Sequence, residues 1–135
     1  MGVNGITNPV DIAVTGLRAQ SARIQVISSN IANAMTSRTP SGQPYRRQTV
    51  VLSSLPEEMG GVEILRIASD MRTDFKRVLD PGHPDADADG YVLMPNVEVP
   101  TELMHLVAAS RAYQANAVVL KRYQELMDVT VELLR

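Results

Sequence analysis

No cysteine and no tryptophan occur in the 135 residues, and the remaining aromatic side chains are one Phe and four Tyr. The absence of cysteine excludes disulfides, thiolate zinc sites and cysteine nucleophiles. With so few aromatics, aliphatic side chains at helical spacing must supply most of the burial, which suits elongated helix pairs better than a dense globule. No apolar run approaches the ~20 residues of a membrane span, so no transmembrane segment is expected. The N-terminus lacks the charged and apolar regions of a cleavable signal peptide. A cytoplasmic address is therefore the default expectation unless another export route is argued. Neither sign of charge dominates: the net charge is −2, from 13 bases and 15 acids. No part of the chain is basic enough to attract a phosphate backbone or an anionic membrane by its field alone, so nucleic acid is not an expected partner.

What the chain does have is a stripe of apolar residues at each end. Val3, Val10, Leu17, Ile24 and Ile31 repeat every seven residues, with Ile6, Ala13, Gln20, Ile27 and Ala34 between them. Near the other terminus Val99, Leu106, Tyr113, Leu120, Met127 and Leu134 repeat the spacing, with Leu103, Ser110, Ala117, Gln124 and Val131 between. Apolar residues sustained at two heptad positions mark a seam that packs against another helix. Gln20, Ser110 and Gln124 either fix the register of that seam or, if the phase drifts, face solvent.

Local signals bound these helices. Asn8 is a good N-cap, Pro9 suits the first helical position, and Asp11 complements the helix dipole. The first helix is predicted over Pro9–Ala34, ~39 Å long. Gly16 either permits close approach of another helix or is a tolerated surface glycine. Thr39-Pro40-Ser41-Gly42-Gln43-Pro44 cannot continue a helix and reads as an extended linker. Short strands are predicted at Tyr45–Leu52, Val62–Ile67, Phe75–Leu79 and Gly90–Met94. A last helix is predicted from Pro100 to about Leu134, ~52 Å with no internal Gly or Pro. Its apolar residues spill beyond one stripe, at Val107, Val118, Val119 and Tyr123, so it wants more than one neighbour. The chain therefore reads as α+β: long terminal helices pairing as a coiled-coil-like hairpin around a small β-rich insert. Its divisions are an N-terminal helix in 1–35, a linker and insert in 36–98, and a C-terminal helix in 99–135.

Chemical constellations are weak. Asp85-Ala86-Asp87-Ala88-Asp89-Gly90 matches the first half of a calcium loop, but the position that needs a bidentate Glu is Asn96. Pro84 and Pro95 exclude the flanking helices, so an acidic turn leading into a strand is expected. His83, beside Asp85, has no nucleophile to activate. His105 has no second metal ligand in view, and Arg46 and Arg47 read as salt-bridge or packing stems. No catalytic, cofactor or metal site is expected, and the chain is not expected to be an enzyme.

Several runs nevertheless carry a resemblance. Pro81-Gly82-His83-Pro84-Asp85-Ala86-Asp87, Gly90-Tyr91-Val92 and Met94-Pro95-Asn96-Val97 resemble the signature of the FlgC family of flagellar basal-body rod proteins. So do Ser29-Asn30-Ile31-Ala32-Asn33-Ala34, Thr36 and Pro44-Tyr45-Arg46-Arg47, while Tyr113-Gln114-Ala115-Asn116 resembles a motif shared by rod and hook proteins. Met35 and Pro100 depart from the family pattern. The resemblance implies a structural subunit of the proximal rod, a helical tube in the periplasm that transmits torque to the distal rod and hook. It implies export by the flagellar type III apparatus without a cleaved signal. Implied neighbours are copies of the chain itself, other proximal rod proteins, the rod-base adaptor, the distal rod protein and the membrane (MS) ring.

On this reading the functional residues are those of a subunit interface. In the first helix they are Val10, Leu17, Ile24, Ile27 and Ile31, with Asn33 from the shared motif. In the last they are Leu103, Leu106, Tyr113, Leu120, Met127, Val131 and Leu134, with Asn116. Two other functions are compatible with the pattern: a soluble coiled-coil adaptor or regulator binding one partner helix, and a small calcium-responsive module around Asp85–Gly90.

Overall fold

A computed structural model describes residues 8–135; Val3 and Ile6, the first members of the N-terminal stripe, lie outside the described residues. Helix α1 spans Pro9–Ala32 and begins as its sequence requires, the Asn8 side chain accepting a hydrogen bond from the Val10 N–H at 3.0 Å. It ends two residues earlier than periodicity alone predicted. Asn33 takes over there, its Nδ2 donating to the Ser29 carbonyl at 2.9 Å while its Oδ1 accepts from the Thr36 hydroxyl. The side chain adds a second hydrogen bond to a carbonyl that already accepts the Asn33 N–H, and its bond from Thr36 turns the chain.

The expected extended linker is instead a closed turn. The Thr39 hydroxyl and N–H both donate to the Gln43 carbonyl, at 2.7 and 2.8 Å, and Gly42 supplies a left-handed φ of 82°. Strands β1 (Gln48–Ser54) and β2 (Val62–Ser69) form an antiparallel hairpin with a register shift between Val51 and Leu52. β3 (Lys76–Leu79) and β4 (Tyr91–Met94) form a second antiparallel pair. The insert is thus two separate two-stranded sheets. Pairs this small need to pack on something else for stability. The β1–β2 hairpin lies along α1, where the Thr15 hydroxyl accepts from the Val62 N–H at 3.2 Å. Gly61, at φ 91°, faces that Thr15 side chain, and any Cβ there would collide with it.

Helix α2 runs from Val99 to Leu133, 35 residues or ~52 Å. Its N-cap residue Glu98 makes no capping hydrogen bond and instead pairs with Lys76 at 2.6 Å, tying the helix start to β3. The two helices run antiparallel. Asn30 meets Glu102 at one level, and fourteen residues away on each helix Gly16 meets Asn116. A Cβ on Gly16 would sit 2.8 Å from the Asn116 amide, which itself donates to the Ala112 carbonyl. Close approach of another helix is therefore what Gly16 permits.

The buried apolar residues are few: Ala13, Ala19, Val26 and Ile27 on α1, Ala109 on α2, and Val92, Met94 and Val97 in or just after β4. Much of that burial comes from alanine, so helix proximity matters more than side-chain bulk. Gly16→Leu should therefore lower stability by about 1–3 kcal/mol through overpacking, read as a drop in the urea midpoint. An unchanged midpoint would show that the helices do not approach at Gly16.

Candidate assembly interface

Where the helices meet the insert, the contact is polar and buried. Asn30 is 0% exposed and Glu102 1%. The Asn30 Nδ2 donates to the Gln48 carbonyl at 2.8 Å and to Glu102 Oε2 at 3.2 Å. Its Oδ1 accepts from the Tyr45 hydroxyl and the Gln48 N–H, both at 2.9 Å. All four hydrogen-bonding positions of one amide are thus filled by α1's neighbours. On the other Glu102 oxygen, the Arg47 guanidinium donates through Nε in an ion pair. His105 sits at the rim, its Nδ1 3.9 Å from that oxygen.

A second buried amide extends the network. Asn96 Oδ1 accepts from the Arg47 N–H at 2.7 Å, and its Nδ2 donates to the carbonyls of Asp70 and Thr73. Because Asn96 and Asn30 hold the N–H groups of Arg47 and Gln48, Tyr45–Arg47 are spent on this node. β1 accordingly begins at Gln48, three residues later than predicted. Arg46 lies over the Phe75 ring at 4.2 Å. Both arginines are packing and ion-pair stems, as their sequence setting suggested.

Burial raises the pKa of Tyr45 above its ordinary value of 10.0, and the nearby Glu102 charge raises it further. The three hydrogen bonds from Thr73 and Arg72 lower that of Asp70.

The remaining sequence candidates fall outside this node. The Asp85 carboxylate accepts from the Ser37 hydroxyl at 2.6 Å and faces Arg38, tying the linker turn to the 80–90 loop. Asp87 Oδ1 accepts from the N–H groups of Asp89 and Tyr91, and His83 Nδ1 from that of Asp85. The segment is an acidic turn leading into β4. Among the described residues, no three His, Asp or Glu side chains are grouped as a metal would need. No described helix is long and apolar enough to cross a membrane.

The expected interface residues divide. Ile27 is buried, and Val10, Leu17, Ile24, Ile31, Leu106 and Leu120 are half-buried, as are the motif residues Asn33 and Asn116. Leu103, Tyr113, Met127, Val131 and Leu134 are exposed within the single chain. The inward row of α2 is Glu102, Ala109, Asn116 and Tyr123, one residue earlier than the predicted Leu103, Ser110, Ala117 and Gln124. The reason is chemical: Glu102 and Asn116 are polar, so counting apolar residues passes over them, although their hydrogen bonds let them be buried. Of the seam polars, Gln20 and Ser110 are half-buried and Gln124 is exposed, with Gln20 Oε1 lacking a hydrogen-bond partner. Asn30 and Glu102 were not among the predicted site residues. Glu102 was visible only as an acid in a first helical turn, and Asn30 only inside a motif.

A family model described as "Flagella basal body rod protein" matches residues 11–38, and one described as "Flagellar basal body rod FlgEFG protein C-terminal" matches residues 88–133. These are the segments that carry α1 and α2. Relatives named flagellar basal-body rod protein FlgC align over nearly the whole chain. The protein of Yersinia enterocolitica is 46% identical, covering 95% of this chain and 97% of its own. That of Borreliella burgdorferi is 36% identical over 97% and 99%, and that of Bacillus subtilis 34% over 92% and 95%.

Two outcomes follow from the node. Arg47→Met strands the Glu102 carboxylate and should cost about 3–5 kcal/mol, whereas Arg47→Met with Glu102→Met should cost much less; equal losses in urea titration would contradict the ion pair. Because the folded-state pKa of Tyr45 is raised, its contribution is complete below pH 10 and is lost as pH rises through the native value. Tyr45→Phe should remove that alkaline decline, and an identical pH profile would show that Tyr45 is not buried at the node.

Proposed function

This chain belongs to the FlgC family of flagellar basal-body rod proteins and is a structural subunit of the rod, and we propose that it serves in the proximal rod, where its helices are the assembly surface. In this reading the segments 1–35 and 99–135 pair as a coiled-coil-like hairpin that contributes to a helical tube in the periplasm. The insert, 36–98, sits outside and makes lateral contacts. The tube carries torque from the motor to the distal rod and hook. Its subunits reach it through the flagellar type III apparatus without a cleaved signal. Neighbouring copies, other proximal rod proteins, the rod-base adaptor, the distal rod protein and the MS ring are the partners.

One observation supports this reading above the rest: α2 carries apolar side chains that remain exposed among the described residues. Leu103, Met104, Val107, Val118 and Val119 are exposed before Tyr123, and Leu126, Met127, Val129, Val131, Leu133 and Leu134 after it. An exposed apolar stripe of this length marks a surface for another protein. Each Leu or Val covered there contributes roughly 1.5–3 kcal/mol, so a few per subunit give a stiff lattice without chemistry. The protein acts by being buried and needs no catalytic group.

Val131→Asp tests this, because Val131 is 55% exposed and the register of Asn30 with Glu102 and Gly16 with Asn116 puts the first residue of α1 level with Tyr123, short of Val131. The variant should keep the parent's helicity and urea midpoint yet leave cells without rods and non-motile. Motile cells with normal rods would remove the α2 stripe from the interface.

A further inference from the structure

We infer that the cavity beside the buried Arg47–Glu102 pair is a site for one phosphate group, held by Arg23, Arg47 and His105. The site lies within a single chain and needs no second copy.

The cavity, ≈ 230 Å³, is walled by three separate parts of the fold. From α1 come Arg23, Val26 and Ile27, at the i, i+3 and i+4 spacing of one helix face. From the segment entering β1 come Arg47 and Thr49, and from α2 comes His105. The antiparallel register set by Asn30–Glu102 and Gly16–Asn116 puts Ile27 level with His105, so the two helices close one side together. No acid is among the lining residues.

The Arg47 guanidinium has donors to spare. Nε is taken by Glu102, and Nη2 lies 3.4 Å from His105 Nδ1. Nη1 has no hydrogen-bond partner among the described residues, although the side chain is only 24% exposed. A guanidinium always donates, so His105 Nδ1 is the acceptor in that pair and the neutral ring carries its proton on Nε2, a further donor. Arg23 is exposed and makes no ion pair among the described residues. Val26 and Ile27 are buried and keep water from one wall, which strengthens the field of the two arginines in the space they face.

The donor set selects the ligand. Phosphate offers three strong acceptor oxygens and a charge of about −1.5 to −2 at neutral pH, and planar guanidinium groups recognise it through paired N–H donors. Two arginines, the imidazole N–H and the Thr49 hydroxyl can meet that number of oxygens. A carboxylate, with two oxygens and one charge, leaves part of the set unused. With a net charge of −2, the chain has no general field that gathers phosphate. Binding therefore depends on this local placement.

Isothermal titration calorimetry of the full-length chain, at neutral pH and constant ionic strength, tests the site with inorganic phosphate, glycerol phosphate and acetate. Inorganic phosphate should bind one to one and raise the urea midpoint of the parent, as a ligand of the folded state does. Arg23→Gln should weaken phosphate binding about tenfold or more. Because Arg23 lies outside the Asn30–Glu102 network, that variant should keep the parent's midpoint in chloride and lose the rise in phosphate. Both phosphates binding would support a phosphate carried on a larger molecule, and inorganic phosphate alone binding would support a free one. Three results would each overturn the site: no binding of either phosphate, acetate binding as tightly as phosphate, or undiminished phosphate affinity in Arg23→Gln.

Discussion

The structure depends on burying a carboxylate and an amide together. Glu102 and Asn30 have no access to water, and they are bearable there only because Arg47, Tyr45 and the Gln48 backbone complete their hydrogen bonds. That requirement joins three parts of the chain. α1 supplies the amide, α2 the carboxylate, and the segment entering β1 the guanidinium, hydroxyl and backbone groups. A purely apolar junction would tolerate rotation of the insert about the helix pair. A satisfied polar network has one good geometry and so fixes the insert's direction. For a structural subunit of a rod, a fixed angle between the helix pair and the insert is a useful property.

At the other end of the pair the constraint is reversed. Small residues, with Gly16 against Asn116, bring the backbones close and leave little side-chain bulk between them. The apolar residues that a globular protein would turn inward remain outside, on α2. Scarcity of aromatics has the same effect, since Phe75 is covered by Arg46 and Tyr91 by Arg77 and neither anchors a central core. A chain built this way holds its shape through hydrogen bonds and leaves much of its aliphatic surface exposed.

Much of this could be read from the residues. The helix starts followed from Asn8, Pro9 and Pro100, and the strand positions from alternation between glycines and prolines. β2, β3 and β4 lay within two residues of expectation because their ends are set by Gly, Pro and Asp. β1 did not, since long-range side chains, Asn30 and Asn96, decide where its ladder begins. The closed turn at Thr39–Gln43 was hidden for a related reason: a threonine hydroxyl and a left-handed glycine make it, and composition alone registers only a break. The shifted inward row of α2 has the same origin. Periodicity recognises apolar residues, whereas burial here also admits Glu102 and Asn116 because each has partners.

The central claim is that α2's last turns, exposed among the described residues, are covered in the rod. Hydrogen–deuterium exchange of the free protein and of isolated basal bodies compares these two states directly. In the free chain, amides of 124–134 should exchange quickly while those around Asn30 and Glu102 exchange slowly, as expected of frayed and core segments. In basal bodies the 124–134 amides should slow by several orders of magnitude. Equal exchange of that segment in the two samples would contradict the account.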